Sequence, residues 1–282
     1  MRKDLRQKAV GLSWALNLLV GLALPLSAWG QALEPRAAFL QAEAITQPID
    51  EPATTVFLTF DDGPHRQVTR AIADTLARFG AYGNFFLVGE RAQKPWAKPI
   101  LQELHDSHHL IANHTFDHSL SYATQTAFET SLQLTTDVLR PYLPDSGLVF
   151  FRSPGGVWNR ERSRWMNQNI DATPNLAFAN YVGPIFWNAG GNQIYREGQV
   201  VDQADWLCWK ENISARACAD GYLAKIKSNH ARGMPSIVLM HDLDMRSAEM
   251  LQYLLFDLTL DPIAFQFKRL DMALWPFGPV PS

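Results

Sequence analysis

Four places in the chain put groups capable of acid–base or metal chemistry directly after short apolar runs. The first is Thr59-Phe60-Asp61-Asp62-Gly63-Pro64. Neighbouring side chains on a continuing strand point to opposite faces. Gly63-Pro64 stops the strand, and a turn there can aim both carboxylates into one site. Carboxylates held together repel, and one ordinarily takes up a proton unless a cation lies beside them. A solvated Asp-Gly-Pro turn is the plainer reading. The second place is His114-Thr115-Phe116-Asp117-His118. Imidazoles four residues apart share a helix face or meet across a short loop, and a distant carboxylate completes a zinc chelate with open positions for water. Thr115 stands where the His-Glu-x-x-His metalloproteases carry their base, so any base must come from another strand. Taken alone, the pair also reads as two surface histidines.

The third is Arg152-Ser153-Pro154-Gly155-Gly156. A guanidinium that never loses its proton orients a carboxylate and holds its pKa low. The N–H of Gly155 or Gly156 can donate to an oxyanion, whereas a salt-bridged arginine before a turn needs no function. The fourth is His241-Asp242, which offers a general acid or merely a capped strand end. His65, His105, His108, His109 and His230 lack such a context and read as surface residues.

Alternating elements must position these groups. Residues 55–60 are β-prone, and Val68, Ile72, Leu76 and Phe79 follow at helical spacing before Gly80. Phe85-Phe86-Leu87-Val88, a helical stretch with Ile100, Leu101 and Leu104, and the run Leu110-Ile111-Ala112 come next. A helix through Phe128 and Leu139 leads to the strand Leu148-Val149-Phe150-Phe151. Beyond a less legible stretch lie a helix with Tyr222 and Ile226, the strand 237–240, a helix from Met250 to Leu258 and a strand at Phe265-Gln266-Phe267. Such alternation implies parallel strands with crossover helices, in a barrel or an open sheet. In either, the carboxyl ends of the strands share one face, so Asp61 and His241 can converge.

Composition is that of a folded globular chain, with 47% hydrophobic and 19% charged residues. The first thirty residues carry Arg2, Lys3, Arg6 and Lys8 against Asp4, so the −3 of the whole chain leaves −6 for the remainder. An acidic body with no Lys/Arg cluster argues against nucleic acid as a partner. Residues 1–30 read as a signal peptide, a basic stretch before the apolar run Ala9–Ala28 with small residues at its end. Cleavage would place the protein in the periplasm or outside, with no membrane span; an uncleaved anchor is the alternative. Residues 31–53 read as an extended lead-in. In an oxidising compartment Cys208 and Cys218 would pair, although two unrelated thiols fit the same sequence.

In this order the four elements resemble the NodB-homology polysaccharide deacetylases, carbohydrate esterase family 4. Thr59–Pro64 matches the first family motif, and His114–His118 the second, His-[Ser/Thr]-x-x-His. Arg152–Gly156 is similar to the third, Arg-x-Pro-aromatic-Gly, and Leu239-Met240-His241 to the fifth, Leu-x-His. The resemblance implies a single-domain distorted (β/α) barrel, TIM-like with about seven strands, over residues 54–275, followed by a tail at 276–282. It implies that Asp62, His114 and His118 hold a divalent metal, most often zinc, with cobalt or nickel as alternatives. Asp61 would be the base and Arg152 its tether, the N–H near Gly155 an oxyanion donor, His241 the acid, and Leu239 the wall of an acyl-methyl pocket. The implied reaction is attack of metal-activated water on the acetyl group of an amino-sugar polymer, removing N-acetyl or O-acetyl. The same centre would also serve an acetyl-xylan-type esterase or a cyclic amide hydrolase, and a glycan-binding module without activity is a further alternative. Gly155 departs from the family's aromatic residue, which implies a more open groove wall. The fourth motif corresponds best to Asp202-Gln203-Ala204-Asp205-Trp206, with Asp205 orienting His241 or Arg152 and Trp206 lining the pocket. Trp187 either lines the site or packs in the core.

Overall fold

A computed structural model of the chain describes residues 51–166, 178, 180–196 and 199–273. The expected signal peptide, the lead-in up to residue 50 and the tail 276–282 lie outside the described residues. The first half runs β1 (Thr55–Asp61), α1 (Val68–Arg78), β2 (Gly83–Leu87), α2 (Gly89–Ala92), α3 (Lys98–Asp106), β3 (Leu110–Asn113) and α4 (Gln125–Leu139). It continues with β4 (Val149–Phe150), α5 (Arg160–Met166), β5 (Tyr181–Val182), β6 (Ile194–Arg196) and β7 (Gln199–Asp202). The last part holds α6 (Asp205–Lys210), α7 (Ala215–Ala231), β8 (Ser236–His241), α8 (Met245–Leu260) and β9 (Gln266–Phe267). Thr124, Ser214 and Asp244 cap α4, α7 and α8 by accepting a backbone N–H of the first turn.

The main sheet is parallel in the order β3-β2-β1-β8, with β9 beside the start of β1. A bridge from Asn113 to Phe151 continues this order into the parallel pair β4-β5, and a bridge from Ala189 to Val238 lays the segment after β5 against β8. The chain therefore returns to the first sheet from its other side. That connectivity is a distorted (β/α) barrel, and it decides between the two topologies the alternation allowed. The antiparallel hairpin β6-β7 stands apart from it and occupies part of the stretch that was illegible as sequence.

Strand parity sorts the core. Val56, Leu58 and Phe60 pack outward with Ile72, Leu76, Leu251 and Leu254 of the helices. Phe57 belongs to a second, inner cluster with Phe86, Ala112, Phe150 and Ile237. Successive side chains alternate faces, so Thr59 and Asp61 continue the inner column begun by Phe57. Leu239 and His241 likewise continue the column of Ile237. In the β1–β8 register Asp61 lies opposite His241.

Cys208 and Cys218 form a disulfide that ties the six-residue α6 to α7, so the two thiols are not independent. The bond closes a short loop, and replacing both cysteines by serine is expected to cost about 2–4 kcal/mol. Urea unfolding should show a lower midpoint.

Candidate metal centre and acid–base pair

Asp61 ends β1 pointing inward and is 4% exposed. The next residue, Asp62, has φ 76°, a left-handed conformation that only short polar side chains and glycine adopt readily. This turn, rather than strand geometry, brings the second carboxylate to the same side as the first. His114 follows β3, and His118 closes a loop in which Thr115 and His118 also have positive φ. The two histidines therefore meet across a loop and not on a helix. Their ring centroids are 5.1 Å apart. The loop is anchored by Asn113, whose Oδ1 accepts the Thr115 N–H at 2.8 Å, and by Asp117, which accepts from Tyr122 and Ser131 of its surroundings.

One ligand atom each from Asp62, His114 and His118 lie within 4.8 Å of one another. His114 Nδ1 is 2.8 Å from the carbonyl oxygen of Arg152, which can only accept, so Nδ1 carries the proton and Nε2 presents a lone pair. That lone pair faces Asp62 Oδ1 at 3.3 Å, and His118 Nε2 faces the same oxygen at 2.9 Å. Oδ1 is buried and makes no hydrogen bond of acceptable geometry. Converging lone pairs around an orphaned carboxylate oxygen fit a divalent cation with two nitrogen ligands and one oxygen ligand. Burial raises the pKa of Asp62, but contacts with His114 and His118 outweigh it and hold the carboxyl far below its ordinary range. The Asp62 contact pushes His118 up.

Arg152 is fully buried inside the barrel. Its NH1 donates to Asp61 Oδ1 at 2.6 Å and to Thr59 Oγ1 at 2.7 Å, and its Nε to Ile185 O at 2.9 Å. Phe86 packs under the guanidinium at 4.2 Å and Trp187 lies 5.5 Å away. Asp61 is thus held on one oxygen by a permanent cation, while its Oδ2 stands 3.6 Å from His114 Nε2.

On the other flank, Asp205 at the start of α6 takes His241 Nδ1 at 2.8 Å and the His241 N–H at 2.7 Å. Of the two partners open to Asp205 in the sequence, it engages His241 and not Arg152. Burial lowers the pKa of His241, but the charge and hydrogen bond of Asp205, with Asp62 and Asp61 behind them, push it up to about 9.

The remaining expected residues divide. Leu239 is buried on the inner face of β8. Trp206 is 38% exposed and donates to Gly191 O at 3.3 Å. The Trp187 ring packs over Gly156 and Gly191, where a Cβ would come within 2.8 and 2.2 Å of it. Gly155 is exposed with φ 60°. The Gly156 N–H donates to Ser153 O at 2.9 Å, so that candidate oxyanion donor is spent and Gly155 is left. Asp202 supports the Gly190 N–H at 2.8 Å and takes no part in the His241 pair. His109, expected at the surface, is 6% exposed and accepts the Gly83 N–H on Nδ1 at 3.1 Å.

Tyr222 and Asp242 are among the groups whose place the sequence does not reveal. Tyr222, fully buried on α7, joins Asp205 to β8: its hydroxyl accepts the Asp205 N–H at 3.0 Å and donates to Leu239 O at 2.8 Å. A tyrosine on an apolar helix stripe carries no signal of this. Asp242 was visible beside His241 but read as a strand end. It is wholly buried behind the Asp61–Gly63 turn, where a Cβ on Gly63 would fall 2.1 Å from its carboxylate. Its Oδ2 accepts from Thr69, and Oδ1 has no partner.

A barrel carrying an Asp-His-His cluster that could hold a metal ion, between a tethered carboxylate and a carboxylate-held imidazole, has the parts a metal-assisted hydrolase needs. The family model described as polysaccharide deacetylase matches residues 49–170. Over 189 residues the chain is 33% identical to the chitooligosaccharide deacetylase of Rhizobium leguminosarum bv. phaseoli, covering 67% of this chain and 68% of the relative. Over 207 residues it is 28% identical to the chitooligosaccharide deacetylase of Azorhizobium caulinodans, covering 72% and 78%. A crystal structure of a peptidoglycan N-acetylglucosamine deacetylase shares the fold at TM-score 0.61 and 23% identity, over 83% of this chain and 92% of the other. The chain belongs to the polysaccharide deacetylase family.

Burial and the Asp62 charge push the pKa of Asp242 from 3.8 to about 7. Between about pH 4 and 7 the folded protein then holds a proton that the unfolded chain has lost, so stability falls as pH rises through that window. Asp242→Asn cannot ionise. Between pH 5 and 8 its urea midpoint, measured without metal, should fall less than that of the wild type.

Proposed function

We propose that this protein removes acetyl groups from an N-acetylated amino-sugar polymer, using a divalent cation held by Asp62, His114 and His118. The observation that carries the reading is the placement of the Arg152-held Asp61 and the Asp205-held His241 on facing positions of adjacent strands. Zinc suits the donor set of two imidazoles and a carboxylate. Bound there, it supplies Lewis-acid polarisation of the acyl carbonyl and lowers the pKa of water.

The chain's own groups handle the protons. Asp61 accepts the proton of the attacking water, while Arg152 fixes which oxygen is free to do so. Amide nitrogen leaves poorly unless protonated, and His241 delivers that proton from Nε2, because Nδ1 is engaged by Asp205. The Gly155 N–H donates to the developing oxyanion, and Leu239, Trp187 and Trp206 bound the acyl and sugar site. A chitin-like oligomer is the substrate class suggested by the relatives' names. The signal-like segment at residues 1–30 would deliver the enzyme to the periplasm or outside; among the described residues no helix is long and apolar enough to cross a membrane.

Acetate release from N-acetylated chitooligomers, peptidoglycan and acetylated xylan, each with and without chelator, tests this reading. Release from an amino-sugar polymer that chelator abolishes is expected. Release confined to xylan would make the enzyme an esterase, and tight glycan binding without release would overturn catalysis altogether. Asp61→Asn should keep its zinc and lose about 10²–10⁴-fold in kcat, the usual contribution of a positioned base. His114→Ala should lose both zinc and turnover.

A further inference from the structure

Asp205 is saturated. Its Oδ1 accepts from His241 Nδ1 and from the Trp206 N–H at 2.8 Å, and its Oδ2 accepts from the His241 N–H and from Ser247 Oγ, the last also at 2.8 Å. A carboxylate offers about four lone-pair sites, and here all four are filled, so it has no freedom to pivot. Three of the donors come from β8 and from the α6 segment that carries Asp205 itself. Ser247, on α8, is the outside brace.

A serine hydroxyl rotates to suit its neighbours, and this one has been given a direction. Trp209 Nε1 donates to Ser247 Oγ at 3.1 Å, which uses an acceptor site and leaves the O–H aimed at Asp205. Trp209 lies four residues after Asp205 in the six-residue α6, hence on the same helix face. Its ring stands edge-on to the His241 imidazole, with centroids 5.8 Å apart. The four side chains close a ring: Trp209 to Ser247, Ser247 to Asp205, Asp205 to His241, and His241 back against Trp209. Ser247 is 1% exposed, so water does not substitute for it.

We infer that Ser247, oriented by Trp209, is a positioning residue for the general acid: it locks Asp205 so that His241 keeps its proton on Nδ1 and presents Nε2 to the leaving group. The inference rests on the assignment of His241 as acid. Besides Asp205 on α6, the charged groups facing His241 are Asp61 and Asp62 at the end of β1, and neither touches Ser247.

The test compares wild type, Ser247→Ala, Ser247→Thr and Trp209→Phe on two substrates. An N-acetyl chitooligomer needs its leaving amine protonated; 4-nitrophenyl acetate does not. Ser247→Ala should lose about tenfold in kcat on the oligomer with KM within twofold, part of the ~10²–10⁴ that a general acid supplies. Its aryl acetate turnover should remain near that of wild type. Ser247→Thr, which keeps a hydroxyl, should recover most of the loss, and Trp209→Phe should fall between. Independently of any substrate, the low-field proton NMR signal of His241 Nδ1–H should be present in wild type and Ser247→Thr and lost to exchange in Ser247→Ala. Equal losses on both substrates, or an unchanged Nδ1–H signal in Ser247→Ala, would overturn the inference. If wild type itself left both substrates intact while the NMR signal responded as expected, the brace would stand and the deacetylase reading would fail.

Discussion

A guanidinium sealed from water inside the barrel organises this site from both ends of one residue. Through its side chain Arg152 holds Asp61 on one oxygen; through its carbonyl it fixes the proton of His114 on Nδ1. The proposed base and one proposed metal ligand are thus set by the same position in the chain. Burying a charge is costly, and leaving its partner unpaired costs about 3–5 kcal/mol. Here the cost is offset by a carboxylate, a threonine hydroxyl, a backbone carbonyl and an aromatic face. Residues from β1, the segment after β4 and the segment after β5 are thereby tied together at the barrel axis, where apolar packing alone would leave their relative heights loosely defined.

The second organising constraint is register. β1 and β8 are neighbours in space although some 180 residues separate them, and parallel pairing sets Asp61 against His241 at the last rung. The proposed acid on one strand and the proposed base on the other need no long loop to meet. Each is then refined by its own buried partner, Arg152 on one side and Asp205 on the other. A guanidinium holds one group and a carboxylate holds the other.

Much of this was legible as sequence because strand ends are marked in one dimension. Apolar runs that stop at Asp61-Asp62, Asn113-His114, Arg152 and His241 announce both the strands and the face they share. Topology was less accessible: barrel and open sheet have the same alternation, and only the Asn113–Phe151 and Ala189–Val238 bridges separate them. The irregular stretch before α6 hid the hairpin β6-β7, whose strands are only three and four residues long. Local conformation was invisible too. Nothing in the letters says that Asp62 and His118 take positive φ, or that two histidines four apart meet without a helix. Asp242 was misread for the opposite reason. A carboxylate at a strand end suggests solvent, and its burial follows from a glycine in a different strand–turn unit.

The parity of β8 has a consequence for how this family can vary. Between Ser236 and His241 side chains alternate strictly between helix layer and cavity. Inserting or deleting a single residue within that stretch would exchange the imidazole for the thioether of Met240 or the carboxylate of Asp242. Length changes should therefore accumulate in connections such as the β6-β7 hairpin, while the spacing inside the strand stays fixed. The rungs of the barrel act as a ruler for the chemistry, and evolution is left free to redraw only what lies beyond its last mark.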